Sequence, residues 1–375
     1  MSVMNGIFEY LAKSRMAVVL GILGMSVLML FWAGQHLGFL GQNDSSVVSG
    51  TVTKVLFEQK MEGYTEQDVR VRLEEGTEIT AKNRLVPFQE GSRVYVTESI
   101  FQGETEDLEF SVVEVNRMGG LAVLFALFMV AVLWVGGTKG FRSLVGLVFS
   151  FAVILSFIVP QILVGQNAIM VSLAGAGAIL LGTLYVAHGF NKKSFAALGG
   201  IFTSLVVVGV LAQISSVALR FTGLASEGAL FLLTLQEGVV AFNLVDLVIA
   251  GIIIAGIGVL DDVAITQAAT VFSLADNSNL RGRKLFAKAM DVGKDHISAV
   301  VNTLVLAYVG AGLPLVLLFT LSQSPVALTA SNEIVAVEIA RTLISSIGLV
   351  IAIPLTTALS VFFLRASKNP LPPVS

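Results

Sequence analysis

Eight apolar runs with almost no charge dominate this chain, at residues 17–33, 119–135, 144–163, 168–187, 195–219, 244–260, 297–318 and 334–364. Each falls within or above the range of about 17–25 residues that an α-helix needs to cross bilayer hydrocarbon. Backbone polar groups find no water there, so a spanning segment closes its hydrogen bonds internally, as a helix does. Composition agrees: 55% of the residues are hydrophobic and 13% charged, against about 25% charged in soluble domains. The expectation is an α-helical integral membrane protein with about eight transmembrane helices. The last run exceeds a minimal span, which calls for tilt or an interfacial turn.

The first run follows Lys13 and Arg15. A cleaved signal peptide also begins this way, but its apolar core is shorter, about 7–15 residues. No small-x-small cleavage site follows Trp32, so residues 1–42 are read as a cytoplasmic N-terminus with an uncleaved anchor. Placing that terminus inside puts Lys13, Arg15, Lys139, Arg142, Lys192, Lys193, Arg281, Arg283, Lys284, Lys288, Lys294, Arg365 and Lys368 on the cytoplasmic side. The short outer loops then hold only Arg220, an asymmetry that satisfies the positive-inside rule with both termini cytoplasmic. Segment 224–241 is partly apolar but carries Glu227, Gln236 and Glu237. A full crossing there would invert every later loop, so it is read as re-entrant or interfacial. Residues 118–375 thus form a seven-helix membrane domain with a basic cytoplasmic loop near 276–296.

Residues 43–117 differ sharply, with 15 acidic and 8 basic side chains. Asp68-Val-Arg-Val-Arg-Leu-Glu74 alternates strictly, the mark of a half-buried strand. Similar runs lie near 49–57, 78–84, 93–97 and 108–115, and Glu75-Gly76 reads as a hairpin turn. Five short strands predict a small extracytoplasmic β-rich domain, a barrel or sandwich, OB-like in kind, between the first and second helices. OB folds often bind nucleic acid, but this acidic surface repels a phosphate backbone. Partner docking or spacing is the expected role, with an envelope protein as the partner.

Polar residues within apolar runs are costly and draw attention as functional candidates. Asp246 lies one turn inside the sixth run, either in a pathway or wetted at the outer interface. Gly251, Gly256 and Gly258 precede Asp261-Asp262. A carboxylate is favoured at a helix N-terminus, which suggests a break near 258–261 with Asp262 starting a second piece. Thr266, at i+4, shares the face of Asp262. Broken helices of this kind line ion and solute sites in transporters; an ordinary cytoplasmic helix cap is the plainer reading. The seventh run carries Asn302, Thr303 and Tyr308, with Pro314 expected to kink it. Asn302 serves either interhelical packing or solute contact. Glu338 and Arg341 stand at i, i+3 as a structural pair, or as a gating network in which Arg341 reaches Asp246 or Asp262.

The strings GVLDDVAIT (258–266), NTLVLAYVGAGLP (302–314) and EIARTLISSIGLVIAIPLTT (338–357) resemble the YibE/F-like family of bacterial multi-pass membrane proteins. In its pattern an Asp precedes Val or Met, Ala and a small hydroxyl residue, corresponding to Asp262, Val263, Ala264 and Thr266. The chain departs by placing Asp261 where the family often has an apolar residue. The resemblance implies a bacterial inner-membrane protein with an extracytoplasmic N-terminal domain, and no particular substrate.

Two functions follow from these features. One is a transporter or channel for an ion or small solute, with Asp246, Asp261, Asp262, Thr266, Asn302, Glu338 and Arg341 along the pathway. The other is a non-transporting scaffold or sensor whose outer domain binds an envelope partner. Catalysis is not expected. His36, His188 and His296 are far apart, excluding H-E-x-x-H, and GIGVLD sets its acid two residues beyond the Gly-x-Gly-Asp of intramembrane aspartyl proteases. The chain has no Cys, so thiolate metal sites and Cys nucleophiles are excluded. No cofactor is expected, and the partners are the lipid bilayer, an ion or solute, and a second copy if the protein is a homo-oligomer.

Overall fold

The computed structural model describes residues 2–36, 47–60, 65–84, 86–100, 108–189, 191–236 and 243–366. Glu237 with the end of the 224–241 segment, the junction at 37–46 and Lys368 lie outside them. The chain divides into two compact units: 34–141, and 1–33 with 142–375.

In the first unit, five strands close a barrel in the order β1-β2-β3-β5-β4: β1 (Val47–Lys60), β2 (Thr65–Leu73), β3 (Glu78–Asn83), β4 (Arg93–Ile100) and β5 (Leu108–Val115). All pairs are antiparallel except β3 with β5. Alternation in β2 turns Gln67, Val69 and Val71 inward and Arg70 and Arg72 outward. Val52, Ala81, Phe88, Val94, Val96 and Val112 complete the core. Gln67 and Asn83 are buried polar residues there, and the Gln67 amide is fully used. Its Oε1 accepts from Asn83 Nδ2 (3.0 Å) and Phe88 N (2.7 Å), and its Nε2 donates to Glu58 (3.0 Å). The amide thereby ties the loop before β4 to the barrel wall.

Helix α2 (Met118–Val153) begins at a cap from Asn116 and breaks at Gly137 (φ 53°, ψ −132°). A Cβ on Gly140 would lie 2.2 Å from the Val132 carbonyl oxygen, so the chain turns sharply there on glycine alone. After a π-helical turn, Ile154–Ile158, α3 (Val159–Leu163) ends the run.

The second unit holds α1 (Ser2–His36), assigned to it up to Ala33, together with α4 (Ala168–His188), α5 (Lys192–Ala218), α6 (Glu227–Gln236), α7 (Leu244–Asn277), α8 (Gly282–Ala311), α9 (Leu313–Leu321), α10 (Val326–Ser331) and α11 (Glu333–Ala366). Its core forms where α5, α7 and α11 meet. A Cβ on Gly200 would fall 2.0 Å from Thr356 Oγ1, and one on Gly348 2.4 Å from Val208 Cγ2. Eight residues forward on α5 match eight back on α11, so the two run antiparallel with backbones in close approach. Gly256 on α7 accepts Leu205 and Val208 of α5 at 3.7 and 3.8 Å, and Gly209 faces Ile253 at 3.6 Å. Helices α5 and α7 are therefore antiparallel too. The ten-residue α6 between them reaches only about 15 Å, short of a crossing.

Two expectations are corrected. Helix α7 is continuous across the break expected near 258–261; its cap is Asn243, whose side chain accepts from Val245 N (2.9 Å), and Gly256 packs against α5. The basic stretch 276–296 is no loop, because only 278–281 separate α7 from α8. Leu285 and Ala289 bury one face against Val271, Ala275 and Val361, while Arg281 donates to the carbonyls of Ala275 and Ser278 at the end of α7. Among the described residues, six helical stretches are long and apolar enough to cross a membrane, or seven counting the α8–α9 pair, which bends by 64°. One of the six, Met118–Leu163, joins the second and third apolar runs and is interrupted at Gly137. The bend beside Pro314 is as anticipated.

Gly200→Ala should destabilise the protein by about 1–3 kcal/mol through overpacking, although Ala is the better helix former. Gly251→Ala, whose Cβ meets nothing within 4 Å, should be neutral or slightly stabilising. Thermal unfolding of the two variants side by side checks this.

Candidate functional site

Glu338, Arg341, Ser345, Gly348, Ala352, Thr356 and Ser360 follow one another along α11 at helical spacing of three or four, and Gly348 and Thr356 among them meet α5. Arg341 Nη1 donates to Glu338 Oε1 at 2.7 Å. Beside the pair lies a cavity of about 530 Å³ between α6 and the starts of α7 and α11, lined by Ala225, Phe231, Leu247, Ile334, Glu338 and Arg341 among others. Glu338 also lines a second cavity, of about 650 Å³, with Tyr308, Phe319, Thr329 and Thr342. One carboxylate thus stands in the wall of both.

Below the pair the seam closes. Ser204 on α5, with Ser345, Thr356 and Ser360 on α11, is buried, and none of the four hydroxyls has a hydrogen-bond partner among the described residues. Nor does Arg341 Nε. Buried polar atoms are nearly always satisfied, so a row of orphans along one helix contact is unusual. Val208 packs over Gly348, with Leu260 alongside at 3.9 Å from that Gly position.

Two further groups hold this frame, and neither was singled out from the sequence. Gln267 is 3% exposed; its Nε2 donates to Ala289 O (3.1 Å) on α8 and Thr357 Oγ1 (2.8 Å) on α11. Glu333 accepts from Thr222 N (2.7 Å), Thr222 Oγ1 (2.7 Å) and Gly223 N (2.9 Å), clamping the start of α11 to the turn after α5.

Of the residues nominated from sequence, the structure brings Glu338 and Arg341 together and scatters the rest. Arg341 reaches neither Asp246 nor Asp262; its ion-pair partner is Glu338. Asp246 is half-buried in the first turn of α7. Asp262 and Thr266 do share a face, but it is the exposed one, and Asn302 is exposed on α8. Asp261 is the inward member of the acidic pair. Its carboxylate faces Thr183 of α4, and its Oδ1 is buried with no hydrogen-bond partner among the described residues. No group of three or more His, Cys, Asp or Glu able to hold a metal occurs among the described residues.

A bundle of long apolar helices with a charged pair between two cavities, in a chain that also carries a five-stranded barrel, defines a mostly helical protein with an internal polar seam. The family model described as YibE/F-like protein matches residues 124–366, and the chain belongs to that family. The match covers α11 and the seam, and begins after the barrel. No curated protein matches the chain.

Gln267→Leu keeps the volume but leaves Ala289 O and Thr357 Oγ1 without their shared donor. It should lower stability by about 1–2 kcal/mol, whereas Thr266→Val on the exposed face should change it by less than about 0.5. Unfolding in lipid-like detergent measures both.

Proposed function

We propose that this protein is a multi-pass transporter or channel of the bacterial inner membrane that carries an ion or small solute. Its membrane setting is supported by exposure: the apolar window of Met118–Leu163 has none of its residues buried, and Trp134 and Val135 are 86% and 87% exposed. A helix apolar all round needs apolar surroundings. Splitting Met118–Leu163 at Gly137 and counting α8–α9 as one bent span gives eight crossings. With the N-terminus inside, the basic first half of α8 faces the cytoplasm, as the distribution of Lys and Arg requires. The antiparallel register of α5 against α7 supports α6 as a short re-entrant or interfacial piece in the outer half. The OB-like barrel lies outside.

The observation that carries the transport reading is Glu338–Arg341, a charged pair between two cavities with a row of unpartnered hydroxyls continuing beneath it. An ionic group at membrane depth is costly and is kept where it lines a pathway. Solute enters from the outer side beside the pair. Val208, Gly348 and Leu260 seal the seam, and separation of α5 from α11 exposes Ser204, Ser345, Thr356 and Ser360 as ligands. Asp261, facing α4, replaces Asp262 as the acidic group of interest.

The barrel favours a second reading, a scaffold or sensor. Leu56 and Phe57 are 43% and 51% exposed beside a register shift in β1, and such a patch suits an envelope partner.

Flux of protons, monovalent and divalent cations, and organic solutes in proteoliposomes decides between them. Glu338→Gln and Asp261→Asn should each slow wild-type flux at least about tenfold, with Asp262→Asn close to wild type. Absence of flux for the whole panel in folded protein, with function lost in Leu56→Glu/Phe57→Glu, would replace the transporter with the scaffold.

A further inference from the structure

We propose that the cavity of about 530 Å³ beside Arg341 binds an amphipathic monocarboxylate, a small organic acid with an apolar body. The inference rests on the transport reading only in treating such an acid as the cargo; binding stands by itself.

The cavity wall is largely apolar, with Phe231, Leu247, Val248 and Ile334 around it. Pockets of this size and character take drug-sized or smaller molecules, a few polar groups fixing their orientation. Here those groups are Arg341 and Glu338. Arg341 is a planar fork of donors suited to a carboxylate. Among the described residues, Nη1 donates to Glu338 at 2.7 Å, and Nε is buried without a partner. The guanidinium has capacity for a second carboxylate.

Charge balance supplies the specificity. With Glu338 on Arg341 the pair is neutral, and an entering anion would add uncompensated charge. Glu338 also lines the 650 Å³ cavity on the other side of α11, so its side chain can leave Arg341 without leaving solvent-accessible space. The ligand carboxylate then takes the place of Glu338, and its apolar body fills the space against Phe231, Leu247 and Ile334. An amine would meet Arg341 as a like charge, and an alcohol would forfeit the charge-assisted bonds. No covalent step is involved.

The test uses the full-length protein in lipid nanodiscs and radiolabelled octanoate, read by scintillation proximity, with empty nanodiscs to separate site binding from partition into the bilayer. Saturable binding that excess octanoate displaces, but octylamine and octanol do not, is expected. Arg341→Gln should weaken it at least about tenfold. Glu338→Gln should tighten it severalfold, because the competing carboxylate is gone, and misfolding cannot produce that gain. Weakened binding in Glu338→Gln, displacement by octylamine or octanol, or an unchanged affinity in Arg341→Gln overturns the proposal. Binding of this pattern in protein that shows no flux supports the site and removes the transport reading alone.

Discussion

Close antiparallel contact between α5 and α11 is the constraint from which the rest of the bundle follows. Gly200 beneath Thr356 and Gly348 beneath Val208 bring the backbones together where no larger side chain fits. In the membrane setting proposed above there is little hydrophobic drive between helices, so such packing and buried polar contacts would carry association. Once α5 and α11 are locked, α7 takes its place through Gly256 and Gly209 against α5 and through Gln267 against α11. Helix α8 is then held by Ala289 on Gln267 and by Gly293, where a Cβ would meet Ile353 at 2.6 Å. Glu333 fixes the end of the same seam, three hydrogen bonds joining positions about 110 residues apart.

Much of the architecture was legible because its signals are local. Apolar run length identified the helices, and strict alternation in 68–74 identified a barrel strand. The hairpin at Glu75-Gly76 appears as a turn with Gly76 at φ 89°. What failed depended on which face of a helix is covered. Asp262 and Thr266 match in phase, and so do Leu260, Val263, Ala264, Gln267 and Val271. One chain read alone does not say which set turns inward. The i, i+4 rule thus led to the exposed set and passed over Gln267, one residue from Thr266. Glycine carries a similar ambiguity. Gly251, Gly256 and Gly258 suit a broken helix or close packing equally, and only the position of Leu205 and Val208 against Gly256 decides it. The basic stretch misled because its five Lys and Arg side chains hid the spacing of Leu285, Ala289 and Gly293.

The candidate site shows the same division. Glu338 and Arg341, at i, i+3, are adjacent in any helix, so their pairing was readable. That Glu338 borders two cavities was not, since those cavities are made by α6, α8, α9 and α10, contributed from up to about a hundred residues away. The hydroxyl row on α11 was visible as letters, but its lack of partners is a property of the packed seam.

Helix α7 links these parts mechanically. On one side Gln267 binds it to α8 and α11, and Leu260 closes on Gly348. On another, Asp261 faces Thr183 of α4. Under the transport reading proposed above, a shift of α7 that keeps the Gln267 bonds carries α8 and α11 with it and changes the surroundings of Asp261 on the α4 side. Opening of the seam and exposure of the Asp261 carboxylate would then be coupled through one continuous helix of 34 residues, a coupling that the break expected from its glycines would have removed.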